Sequence, residues 1–121
     1  MRNTVQVQAI KNELHRLEHA TNTELWEAVR HHLPDIALPS VHRITARLVK
    51  HGEIGGSLYV NGQTVLDRDP QPHSHFVCND CQTIKNIAVD EDCIENMQNQ
   101  IGGAIIPSSL VVQGSCLQCQ S

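Results

Sequence analysis

An α+β fold in two parts is predicted by three observations in the 121-residue sequence. Three apolar periods of helical type and then a hairpin signal at Asn61-Gly62 predict a winged helix-turn-helix domain over residues 1–68. Two Cys-x-x-Cys turns, Cys78-Asn-Asp-Cys81 and Cys116-Leu-Gln-Cys119, bracket a strand, helix and strand pattern and predict a small α/β domain over residues 69–121. Between them, Asp67-Arg-Asp-Pro-Gln-Pro72 is polar, aperiodic and holds two prolines, the composition of an extended linker.

The first helix is expected from Thr4 to about Leu17, with Ile10, Leu14 and Leu17 on one face. Glu18-His19-Ala20 breaks it. Thr21-x-x-Glu24 then reads as a capping box, in which hydroxyl and carboxylate satisfy free N–H groups of a first turn. The second helix carries Leu25, Trp26, Val29 and Leu33 and is expected to stop at Pro34. Pro39-Ser40 opens a third helix with Ser40 as N-cap, a buried face of Val41, Ile44 and Leu48, and a stop at Gly52. Ile54–Val60 and Gln63–Leu66 flank Asn61-Gly62, a pair suited to a type I′ turn because both positions need positive φ. Three helices followed by a hairpin is the winged-helix order, in which the third helix commonly reads DNA. The same pattern also allows a small domain with no nucleic-acid role.

In the second half, His75–Cys78 and Thr83–Ala88 read as short strands. Asp90 starts a helix whose apolar face is Ile94, Met97 and Ile101, ended by Gly102-Gly103. Ala104–Gln113 reads as the last strand, with Pro107 marking an edge or bulge. Cys93 falls near the apolar side of the helix and is expected to be a buried small hydrophobe.

Composition narrows the classes. Apolar residues are 40% of the chain, and Trp26, Tyr59 and Phe76 are its only aromatics, so the core must rest on Leu, Ile and Val. A second half of this size needs an added staple. No apolar run is long enough to cross a membrane and no signal-like start is present, so a cytoplasmic protein is expected. The net charge of −4 is unevenly spread: residues 1–68 carry eight Lys/Arg against seven Asp/Glu, and residues 69–121 one against six. Ile36–Gly52 holds Arg43, Arg47 and Lys50 and no acid, a local positive stretch suited to nucleic acid.

Five Cys and eight His are the other unusual features of the composition. Each Cys-x-x-Cys turn aims two thiolates at one point, and two turns complete the tetrahedron zinc accepts. Cys78, Cys81, Cys116 and Cys119 are therefore the expected ligands of a structural Zn2+ that ties the C-terminus to the first strand of its domain. A redox pair, or two unrelated pairs, is the alternative. His73-Ser-His75 precedes the first turn. On a strand these positions share a side, so both imidazoles could grip one ion, with His19 and Asp67 as further ligands by type. Ordinary polar residues at a junction would look the same.

The block His-Ser-His-Phe-Val-Cys-Asn-Asp-Cys at 73–81 resembles the His-x-His-x-x-Cys-x-x-Cys of the ferric-uptake-regulator superfamily of metal-dependent repressors. Cys116-x-x-Cys119, Pro39-Ser-Val-His-Arg-Ile and Thr4-Val-Gln6 support the resemblance, which covers nearly the whole chain. It implies a winged helix joined by a hinge to an α/β dimerisation domain, and a homodimer. It implies a regulatory metal, Fe2+, Zn2+ or Mn2+, at His19, Asp67, His73 and His75, which favours the conformation competent for operator DNA. A further family carboxylate falls at Asn86, leaving one formal negative charge where the family has two. Other departures are a short N-terminus, Val7 in place of an Arg, and His42 in place of a Tyr. These lower the expected DNA affinity. Ser108-Ser109 stand where an additional metal site of some members has a His, so that site is expected to be absent.

On the expected DNA face, Ser40, His42, Arg43, Arg47 and Lys50 are the candidates. The Arg43 fork matches guanine O6/N7, and Arg47 and Lys50 suit phosphates. A metal-responsive transcriptional repressor is the leading reading. A peroxide-sensing relative is the first alternative, and a shortened, zinc-stapled interaction module with weak DNA binding is the second. Metal storage fits poorly because the remaining His are scattered. Enzyme activity is not expected: there is no nucleophile elbow, phosphate-binding Gly loop or zinc triad with an open position.

Overall fold

The computed structural model describes residues 4–71, 73–107 and 110–120. Helix accounts for 44% and strand for 22%. The chain divides into two compact units, Met1–Gln71 and Pro72–Ser121.

The first unit is a winged helix. Helix α1 (Val5–Leu17) is capped by the Thr4 hydroxyl, which accepts from the Val7 N–H, and it buries Val7, Ile10 and Leu14. Glu18 adopts φ 70 and turns the chain into β1 (His19–Ala20), where the sequence suggested only a break. Two residues carry no readable period. Their strand exists because β3 is there to pair with them, His19 opposite Asp67 and Ala20 opposite Leu66.

Helix α2 (Asn22–Val29) begins with the expected capping box: the Thr21 Oγ1 accepts from the Glu24 N–H and the Glu24 carboxylate accepts from the Thr21 N–H. Thr21→Ala removes one partner of this reciprocal pair and is expected to cost about 1 kcal/mol of stability, read by urea unfolding. The helix ends at Val29, short of Pro34, and the N–H groups of His32 and Leu33 both turn back to the Val29 carbonyl at 2.9 Å. A residue preceding proline is biased out of the helical region. The turn is held by the Trp26 indole N–H, which donates to the Ile36 carbonyl at 2.9 Å.

Helix α3 (Leu38–Lys50) starts one turn earlier than expected: Ala37 is the N-cap and Ser40 lies inside the first turn. Pro39, without an N–H and with its φ already helical, suits that first turn. Val41, Ile44, Thr45 and Leu48 are buried, and Gly52, at φ 72, ends the helix. Strands β2 (Gly55–Val60) and β3 (Gln63–Asp67) form the wing around Asn61 and Gly62, at φ 52 and 80, the two positive values a type I′ turn requires. The sheet order is β1-β3-β2. The core combines Ile10, Leu14, Leu25, Val29, Val41, Leu48 and Leu66 and is aliphatic throughout, with Trp26 at its margin.

The second unit is built on a three-stranded sheet of order β5-β4-β6. Strand β4 (Ser74–Cys78) is central. It pairs antiparallel with β5 (Ile84–Ile87) and parallel with β6 (Val111–Gly114). A parallel neighbour needs a crossover, and α4 (Glu91–Ile101) supplies it. Asp90 caps α4 by accepting from the Cys93 N–H, and Gly102 at φ 67 ends it. The last strand is shorter than expected: among the described residues of 104–113, those from Val111 pair with β4. Pro107 lacks a donor for a ladder; its carbonyl instead accepts from the Ser74 hydroxyl at 2.9 Å. Ser108 and Ser109 lie outside the described residues, as does Pro72 of the expected linker.

Cys93 is exposed, against expectation. Helix α4 buries none of its residues fully, and Cys93 sits beside the apolar row of Ile94, Met97 and Ile101 rather than on it. A hydrogen bond to the Asp90 carboxylate holds it as a thiol, raising its pKa. A short helix α5 (Leu117–Gln120) closes the unit.

Candidate metal centres and nucleic-acid face

Four cysteines converge because the sheet brings their loops together. Cys78 ends β4, opposite Gly114 at the end of β6. Cys81 follows in a tight turn in which Gln82 adopts φ 65 and returns its N–H to the Cys78 carbonyl. Cys116 follows β6, and Cys119 lies on α5. The Ser115 hydroxyl donates to Asp80 Oδ2 at 2.7 Å and ties the two loops. All four Sγ atoms lie within 4.8 Å of one another, with Cys81 and Cys116 at 3.7 Å. A tetrahedral zinc with Zn–S bonds of about 2.3 Å sets its sulfurs about 3.8 Å apart, so the cluster has the dimensions of that ion's ligand set.

The protonation of the cluster also favours a dication. Backbone N–H groups of Cys81 and Cys116 point at the Cys78 sulfur and bring its pKa down to about 6. The Thr83 hydroxyl, 3.0 Å away, and the Thr83 backbone lower that of Cys81. Cys119, facing the sulfurs of Cys116, Cys81 and Cys78, is pushed far above the ordinary thiol range. Four thiolates at this spacing cannot persist without a cation, and the Thr83 hydroxyl and the surrounding backbone N–H groups already favour the charged form at two of them.

Among the other predicted ligands, His19 and Asp67 are neighbours in the first unit. The β1–β3 register places them opposite each other, and His19 Nε2 lies 3.3 Å from Asp67 Oδ2. Their side chains are 9% and 5% exposed. The other oxygen, Asp67 Oδ1, accepts from the Asp69 N–H at 2.9 Å, which orients the carboxylate. In the second unit, His73 sits just before β4 rather than on it, and its ring centroid is 4.6 Å from that of His75. His75 is buried on β4, opposite Asn86 of β5.

Helix α3 presents His42, Arg43, Arg47 and Lys50 to solvent, with Ser40 half-buried, and it carries no acid. Arg43 donates to the Ser40 hydroxyl at 3.3 Å. A cavity of about 310 Å³ lies between α2, α3 and the wing tip, lined by Asn22, Thr23, His42, Gly62, Gln63 and Thr64. Sequence reasoning missed Asn22 and Thr45. Asn22 bonds His42 at 3.2 Å and Thr45 at 2.6 Å. No motif in the sequence signals these two bonds, which join residues twenty or more positions apart.

Among the described residues no helix is long and apolar enough to cross a membrane. The model of the Ferric uptake regulator family matches residues 1–105. No curated protein matches the chain. Solved structures share its fold. The ferric uptake regulator of Francisella tularensis, solved with iron, is 20% identical over 100% of this chain and 96% of its own, at a TM-score of 0.74. That of Helicobacter pylori, described with three functional metal-binding sites, is 24% identical over 100% and 83%, at 0.74. A zinc uptake regulator solved with zinc and DNA is 21% identical over 99% and 84%, at 0.71.

Proposed function

Because the chain belongs to the ferric uptake regulator family, we propose that it is a cytoplasmic, metal-responsive repressor of transcription that binds operator DNA as a homodimer. Its structural zinc is held by Cys78, Cys81, Cys116 and Cys119. Its regulatory ion is held by His19, Asp67, His73 and His75, and residues 69–121 dimerise while residues 1–68 bind DNA. The observation that carries this reading is the separation of donor types. Soft sulfur is gathered in one cluster, while the nitrogen and oxygen donors stand as two close pairs, one in each unit. Thiolate clusters retain zinc, whereas imidazole and carboxylate sets suit an exchangeable Fe2+, Mn2+ or Zn2+. An ion that takes both pairs favours one arrangement of the chain over others, and by linkage it changes DNA affinity.

The DNA-binding face in this reading is Ser40, His42, Arg43, Arg47 and Lys50. Arg43→Ala is expected to remove a bidentate guanine contact, weaken operator binding by about 1–3 kcal/mol and relax specificity at one base pair. Lys50→Ala is expected to weaken binding evenly across sequences and to reduce the salt slope by about one. Fluorescence anisotropy on selected duplexes at several salt concentrations distinguishes the two effects.

The reading as a whole is tested by metal content per chain before and after mild chelation, with iron, manganese or zinc added back. One retained zinc and one exchangeable ion, the latter required for DNA binding, is the expected result. One retained zinc with no second ion would overturn the sensor reading.

A further inference from the structure

The reading helix carries His42, whose imidazole has two ring nitrogens of opposite character, and which one bears the proton decides what the helix offers to DNA. Three side chains determine this. The Thr45 hydroxyl, in a residue only 1% exposed, lies 2.6 Å from Asn22 Oδ1. That separation is in the O–H···O range and below the N–H···O range, so the oxygen of the Asn22 amide faces Thr45. The same hydroxyl lies 3.2 Å from the His42 carbonyl, and its proton goes to the closer acceptor. With its oxygen fixed, Asn22 turns its NH₂ group toward His42 Nδ1, 3.2 Å away. An NH₂ group can only donate, so Nδ1 accepts and the proton of the neutral ring sits on Nε2.

We infer that Asn22 and Thr45 are positioning residues of the DNA face, which hold His42 as the Nε2–H tautomer so that α3 presents a fixed hydrogen-bond donor to an acceptor of the duplex. The setting fits that role. His42 is exposed and lines the cavity between α2 and the wing tip, whose other walls are Thr23, Gly62, Gln63 and Thr64, with no carboxylate among them. A phosphate oxygen and a base-edge acceptor share the required chemistry. Buried support for a surface side chain also lowers the rotamer entropy lost on binding. The inference rests on the DNA-binding reading above for its purpose, though not for the tautomer itself.

Two measurements on the full chain, with structural zinc in place and, for the DNA measurement, saturating Mn2+ added, separate these. The first is the long-range 1H–15N spectrum of His42 in the absence of DNA. The expected result is the Nε2–H tautomer in the parent protein, a tautomer mixture in Thr45→Val and in Asn22→Ala, and restoration in Thr45→Ser, which keeps the hydroxyl. The second is a double-mutant cycle on DNA affinity, using a pool of mixed-sequence duplexes. Asn22→Ala and His42→Ala are each expected to weaken binding several-fold, and the double variant no further than His42→Ala alone. A loss uniform across the pool identifies a phosphate oxygen, and a loss confined to one base pair identifies a base edge. An Nδ1–H tautomer in the parent protein, or additive losses in the cycle, overturns the inference. Binding unaffected by His42→Ala, with the Nε2–H tautomer intact, overturns His42 as a member of the DNA face and leaves the hydrogen-bond network as purely structural.

Discussion

Replacing Cys116 with Ser is expected to release the zinc and unfold the second unit while the first keeps its helices. The reason is how little else holds that unit together. Its only buried apolar residues among those described are Val77 and Cys78, the second of them a member of the cysteine cluster, and α4 buries nothing fully. Burying a side chain of that kind contributes about 1.5–3 kcal/mol, whereas apparent zinc binding to four-ligand sites contributes about 10–16 kcal/mol at neutral pH. Removing one thiolate also opens the link between the loop after β4 and the C-terminal helix, which is otherwise closed by four residue pairs of the β4–β6 ladder and by the Ser115–Asp80 hydrogen bond. Elemental analysis should show the loss of one zinc per chain. Amide exchange should show protection lost in β4, β5, β6 and α4 and retained in α1, α2 and α3. A variant that kept an ordered second unit without zinc would contradict the structural role assigned to the cluster.

His75→Ala is expected to abolish metal-dependent DNA binding while leaving the zinc in place. If His75 is a direct ligand, as proposed, its loss should weaken the second ion by more than the roughly 10–100-fold that follows loss of an outer-shell partner. His73→Ala should behave alike, since the two rings stand 4.6 Å apart. Titration calorimetry with Mn2+, alongside anisotropy on DNA with and without the ion, reads both effects. Asn86→Asp supplies the opposite test. Asn86 lies directly across from His75 in the β4–β5 register, and a carboxylate there adds a second negative charge to the donor set. Tighter Mn2+ binding in Asn86→Asp is therefore expected. If the two His variants bound metal and operator as the parent does, the regulatory assignment would fail even with the zinc cluster intact.

Elements with strong local chemistry were legible in the sequence. Thr21 and Glu24 declared a capping box that forms in full. Asn61-Gly62 declared a type I′ turn, and both residues adopt positive φ. Ile10 and Leu14, and Val41, Ile44 and Leu48, declared the buried faces of α1 and α3. The paired Cys-x-x-Cys turns declared a cluster that assembles within 4.8 Å. The misreadings fall where local signal is weak or where two signals compete. Ser40 has the chemistry of a cap, but Pro39 already suits the first turn, so the cap moves to Ala37. Leu33 continues the period of α2, but the chain turns back at Val29 under the Trp26–Ile36 hydrogen bond. Cys93 lies close to an apolar row in sequence, yet α4 is too exposed to bury it.

The sequence by itself thus determined the helices, the wing turn and the cysteines that gather in one cluster, because those depend on spacing along the chain and on the chemistry of single side chains. Tertiary structure decided the rest. Strand β1 exists only because β3 pairs with it, and that pairing sets His19 beside Asp67. The parallel match of β4 with β6 places Cys78 beside the loop that carries Cys116. The bonds from Asn22 to Thr45 and His42 join residues twenty or more positions apart. Contacts of this kind follow from sheet register and helix packing, which are fixed only when the whole apolar surface has been buried.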